Sequence, residues 1–164
     1  MRAVERTGPV VLSRFGEVEV HATEGALLLV LGFGAISGIR LGTGEAAGAA
    51  ALLILSLLVH EVGHLAMAQS LGVRVKAIGL CLKGAYLRRS MSNKPLFELL
   101  IASAGPAANL LLFAWFRDGN QLAHWVALLN LVLAVSNLLP IPHSDGSRIM
   151  SSWKELRHAK AIQE

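Results

Sequence analysis

Two stretches without a formal charge constrain this chain more than anything else in it: Leu99 to Phe116 (18 residues) and Gly119 to Pro142 (24 residues). Roughly 20 apolar helical residues are needed to cross the hydrocarbon of a bilayer. A third run, Ala46 to Leu71, is interrupted only by His60, Glu61 and His64. A fourth, Gly25 to Ile39, is shorter, but Arg40 can snorkel to the interface and let it span. Buried inside a soluble domain, four such helices would need a polar covering the rest of the chain cannot supply. Only 16% of the 164 residues are charged and 54% are hydrophobic, whereas soluble domains carry nearer a quarter charged residues. The expected fold class is an all-α membrane protein with about four transmembrane helices, over residues 25–42, 46–71, 97–116 and 120–141.

Four spans put both termini and the middle loop on one side of the membrane. Thirteen of the 15 Lys and Arg residues fall there, and only Arg40 and Arg117 fall opposite. Basic residues favour the cytoplasmic side, so both termini are expected in the cytoplasm; a short single-domain chain suggests a prokaryotic plasma membrane as the location. The net charge of +4 then serves to orient the chain and meet anionic lipid, and calls for no nucleic-acid partner. The single cysteine, Cys81, excludes an internal disulfide and a Cys-rich zinc site. Ala35-Ile36-Ser37 loosely resembles a signal-peptide cleavage site, but the mostly polar segment before the apolar run is too long for an ordinary leader.

Between the spans, Glu17-Val18-Glu19-Val20-His21 alternates as a strand does, within an N-terminal segment 1–24. Val73 to Arg89 alternates around a Lys83-Gly84 turn, which predicts a small cytoplasmic β-hairpin pairing with the 17–21 strand. Residues 151–164 read as a basic cytoplasmic tail, a short helix at most. With no repeat and no low-complexity tract, the expectation is one membrane domain over 1–164.

The chemistry is concentrated in His60-Glu61-Val62-Gly63-His64, inside the second span. Four residues along a helix turn about 400°, leaving the histidines roughly 40° apart and one turn up. Both imidazoles can reach one zinc ion, and Glu61 can hold and deprotonate a water as general base without being a ligand. Ionisable groups in hydrocarbon are costly without partners, which makes a functional role the default; a polar interhelical contact is the bland alternative. A zinc site with an open position needs a third protein ligand. Asp145 stands just past the fourth span, after Pro140 and Pro142, and would complete a His₂-carboxylate set; taken alone, Asp-Gly also reads as an ordinary turn. Topology decides between the two. His60, His64, Asp145 and Ala104-Gly105-Pro106-Ala107-Ala108-Asn109 all converge on the cytoplasmic half of the membrane, placed there by charge counting alone.

With these motifs in hand, the chain resembles the site-2 protease family of intramembrane metalloproteases. The resemblance rests on His-Glu-Val-Gly-His at 60–64 and on the Asn-x-x-Pro-x-x-x-x-Asp-Gly spacing at 137–146. The Ala-Gly-Pro-x-x-Asn segment ending at Asn109 and a strand such as Val18-Glu19-Val20-His21 before the first span also match. It implies one Zn²⁺ per chain, bound by His60, His64 and Asp145, with Glu61 as catalytic base. It further implies cleavage of transmembrane proteins or peptides, opened into a strand beside the enzyme's own hairpin. Asn109 either donates to the oxyanion, as a catalytic residue, or makes an interhelical hydrogen bond. Asn137 reads as structural, satisfying backbone freed by the two prolines. His143 and Ser147 depart from the family's more frequent apolar or proline residue and glycine; His143 is read as facing the cytoplasm. Two other readings stay open on the sequence: a non-proteolytic membrane scaffold that binds partner helices, and a zinc hydrolase of a non-peptide substrate.

Overall fold

The computed structural model describes residues 10–15, 17–23, 28, 30–35, 39, 43–81 and 84–163. Its elements run β1 (Val10–Phe15), β2 (Val18–Ala22), α1 (Thr43–Ser70), β3 (Val75–Cys81), β4 (Gly84–Arg89), α2 (Pro95–Phe116), α3 (Gln121–Leu138) and α4 (Asp145–Gln163). Three helical stretches are long and apolar enough to cross a membrane: Ala47–Ser70, Pro95–Phe116 and Gln121–Leu138. These are the second, third and fourth expected spans. In the first, 25–42, residues 28, 30–35 and 39 are helical and the others lie outside the described residues.

Central to the bundle is α2, which packs against α1, α3 and α4. Its Pro95 opens the helix, where a missing amide hydrogen costs nothing. At the far end of α1, Gly72 takes a positive φ of 70°. Gly72 N donates to the Gln69 carbonyl and Val73 N to the Ala68 carbonyl, closing the orphaned carbonyls as a left-handed glycine permits. That sharp stop turns the chain straight into β3.

The sheet has the order β1-β2-β3-β4. β2 lies parallel to β3, with Val20 opposite Ile78 and His21 opposite Gly79. Parallel neighbours need a long crossover, and here the connection carries the membrane helix α1. β3 and β4 form the expected antiparallel hairpin, whose Lys83 lies outside the described residues. Ala68, Val75 and Ile101 pack into one buried cluster where α1, β3 and α2 meet. The sheet is thereby fixed beside the helical bundle.

Two elements exceed the expectation. β1 was not anticipated, because its ladder shifts register between Val11 and Ser13 and a bulge destroys the period-two signal. The tail is a helix of 19 residues starting at Asp145, not a short one starting at Ser151. Ser144 explains the start: its Oγ accepts from the backbone N–H of Ser147 at 3.1 Å, as an N-cap side chain does.

Candidate metal centre

His60 and His64 sit one turn apart on α1, and both are buried. Each has its Nδ1 tied down. His60 Nδ1 is 2.6 Å from Asn109 Oδ1 on α2. His64 Nδ1 is 2.6 Å from the backbone carbonyl of Ile101, also on α2. A carbonyl can only accept, so each Nδ1 carries a hydrogen, and a ring that holds a metal would present its Nε2 lone pair. Those nitrogens meet. The two Nε2 atoms are 3.1 Å apart, and Asp145 Oδ2 lies 3.0 Å from one and 3.2 Å from the other.

Three acceptor atoms facing one another in a buried pocket repel unless a cation sits among them. The ligand–ligand edges of a tetrahedral zinc site with bonds of roughly 2.0–2.1 Å are about 3.3 Å, close to the separations here. Imidazole, imidazole and carboxylate are a zinc donor set with an open fourth position, and the second nitrogen of each ring donates outward as ligating histidines do. These residues fit zinc. His60, His64 and Asp145 are the group of described residues whose ligand atoms converge in this way.

Space for the cluster comes from Gly105. A Cβ at that position would lie 2.7 Å from His60 Nε2 and would overlap His64 Nε2. Pro106 follows, so the carbonyl of Ala102 loses its helical donor in the same turn where Ile101 takes the His64 hydrogen. Glu61 is buried beside the cluster, and its Oε2 is the one buried side-chain oxygen or nitrogen among the described residues with no hydrogen-bond partner. Two cavities reach the site. One, of about 120 Å³, is lined by Glu61, both histidines and Asp145, with Tyr86 and Leu87 of the edge strand β4. The other, of about 360 Å³, runs from His60 and Glu61 along the end of α3.

With the geometry in view, the relatives are informative. Residues 48–117 match the model of peptidase family M50. Rip3 of Mycobacterium tuberculosis, which carries a zinc-metalloprotease name, is 34% identical over 71% of this chain and 33% of its own. A zinc metalloprotease of Methanocaldococcus jannaschii is 35% identical over 60% of this chain and 32% of its own. The solved structure of a site-2 protease from Methanocaldococcus jannaschii superposes with a TM-score of 0.74 at 25% identity, covering 87% of this chain and 70% of that one. Over residues 48–117 the chain is similar to peptidase family M50, and its fold is similar to that of a site-2 protease. It is an integral membrane protein, and it spans about a third of the length of the curated relatives it matches.

The remaining sequence candidates fall into three groups. Asn109 is fully buried and lies behind His60, not along either cavity. Both amide hydrogens are engaged: Asn109 Nδ2 donates to Asn130 Oδ1 at 2.7 Å and to the Ser56 carbonyl at 3.2 Å. Asn137 lines both cavities and donates to the Leu133 carbonyl at 2.9 Å. His143 is exposed and lines both cavities, and its φ of 73° is left-handed, which is uncommon outside glycine.

His21 and His124 stand apart from the cluster. His21 lies between Tyr86 and Glu19 on the sheet; its hydrogen bond and the Arg14 guanidinium hold the Glu19 carboxyl below the usual carboxylate range. His124 bonds the Arg117 carbonyl at the start of α3. Three contributors escaped the sequence reading: Ser56, Asn130 and the capping Ser144. Ser56 and Asn130 had a signal, since a polar side chain in an apolar span needs a partner. Ser144 had one as well, a serine directly before an acidic first turn.

Proposed function

We propose that this protein is an intramembrane zinc endopeptidase that cuts peptide bonds within or beside transmembrane segments of other membrane proteins. Its zinc ligands are His60, His64 and Asp145, and its catalytic base is Glu61. The observation that carries this reading is three buried acceptor atoms drawn to within 3.2 Å of one another, next to a buried glutamate oxygen with no partner. Zinc held there would supply Lewis-acid chemistry, polarising a carbonyl and acidifying a water. Glu61 Oε2 takes the proton from that water and delivers it to the departing amide nitrogen. Asn109 holds His60 in place and does not reach the oxyanion, because both its amide hydrogens already have acceptors.

Substrate enters as an extended strand. β4 ends the sheet order and lends Tyr86 and Leu87 to the cavity wall, so a segment pairing with its outer side would pass the metal centre. A transmembrane helix must unwind locally to bind this way. On this reading residues 25–42 make a fourth crossing, and the 13-to-2 division of basic residues supports both termini on the cytoplasmic side.

The test is comparative proteomics of membrane fragments in cells carrying the wild-type or the Glu61→Gln protein. The proposal expects fragments that vanish in the variant while purified variant retains stoichiometric zinc. Equal fragment patterns from the two strains would remove the proteolytic reading.

A further inference from the structure

Behind the metal-facing side of His60 runs a chain of buried amides that crosses three helices. Asn109 and Asn130 are both fully buried and Ser56 is nearly so. Asn130 Nδ2 donates to the Val126 carbonyl at 2.9 Å and to Ser56 Oγ at 3.0 Å. The Val126 carbonyl only accepts, so the NH₂ end of Asn130 must face it and the Oδ1 end must face Asn109. Asn109 therefore turns its own NH₂ toward Asn130 Oδ1 and the Ser56 carbonyl, and its Oδ1 toward His60. An amide oxygen at that place accepts only from a protonated Nδ1. Each step leaves one orientation open to the next, and the chain ends with His60 Nε2 as the ring nitrogen left to face Asp145.

We infer that Asn130 and Ser56 are positioning residues for the metal centre: they fix the orientation of Asn109 and through it which ring nitrogen of His60 carries the hydrogen. The inference rests on the proposed role of His60 as a zinc ligand, and it extends the centre to residues that touch neither metal nor substrate. In a low-dielectric interior, a flipped Asn109 would point its NH₂ at the His60 Nδ1 hydrogen and leave two donors facing each other. The ring would answer by moving its hydrogen to Nε2, where it blocks the cation. Outer partners of ligating histidines are worth about 10–100-fold in metal affinity, and this chain passes that dependence on to α3.

The experiment uses the full chain purified in detergent. Nitrogen-15 NMR of histidine-labelled, metal-free protein reads the hydrogen position on His60, and competition titration reads the zinc Kd. Wild type should hold His60 as the Nδ1–H form. Asn130→Leu, similar in bulk but unable to bond, should give a mixture of the two forms and weaken zinc about 10-fold or more. Ser56→Ala, which keeps the backbone carbonyl and removes only the hydroxyl, should move both readouts the same way by less, and it decides the matter if Asn130→Leu does not fold. A single Nδ1–H form with wild-type zinc affinity in these variants would overturn the relay. Failure of wild type to bind zinc would instead sink the proposed centre, while the NMR arm still judges the relay by itself.

Discussion

His60 and His64 stand one turn apart on the same helix and face the same point, yet they are anchored by different kinds of structure. His64 leans on the main chain of α2: its Nδ1 donates to the Ile101 carbonyl, and Ile101 itself is fully buried in the α1–β3–α2 cluster. His60 leans on a side chain, Asn109, which is held by Asn130 and Ser56. A backbone acceptor cannot flip and does not change with the identity of its residue. An amide can do both. The His64 half of the centre should therefore tolerate substitution of its anchoring residue, and the His60 half should not.

Three substitutions bear on that difference. The largest effect is expected where both halves meet. Gly105→Ala places a methyl group against both Nε2 atoms, so it should abolish stoichiometric zinc in purified protein measured by metal analysis; retained zinc would mean that the helices separate easily and that neither anchor sets the geometry. Next comes Asn109→Ala, which strikes the soft half alone. Zinc affinity should fall about 10–100-fold in a competition titration, and a wild-type value would erase the asymmetry. Smallest is Ile101→Val, which trims the hard half's packing and leaves the carbonyl in place. It should cost about 0.5–1.5 kcal/mol of stability, read as a lowered denaturation midpoint, with the zinc Kd unmoved. A zinc loss there comparable to that of Asn109→Ala would show the backbone anchor to be as fragile as the amide.

The same contrast explains what the sequence made legible. Inside the spans every polar side chain must be accounted for, so His60, Glu61 and His64 stand out against leucine and alanine, and Asp145 follows from topology. Asn109 was visible too, but its role was not: choosing between oxyanion donor and interhelical bond requires knowing that Asn130, 21 residues later, supplies an acceptor. Outside the spans polar residues are cheap and carry less information. β1 hid behind a bulge, and α4 hid behind Asp145-Gly146, which looks like a turn until Ser144 is seen to cap a helix. The hairpin was readable because its pattern runs on past its own register shift between Val75 and Ala77 to the Lys83-Gly84 turn, and β2 because Val18-Glu19-Val20-His21 alternates.

On the proposed function, two imidazoles of α1 and one carboxylate of α4 hold a single zinc ion. Zinc-edge X-ray absorption of the purified protein tests it most directly. The spectrum should show one zinc per chain with two imidazole nitrogens and oxygen at about 2.0–2.1 Å, losing an oxygen neighbour in Asp145→Ala. A sulfur shell at about 2.3 Å, or a spectrum indifferent to Asp145, would contradict it.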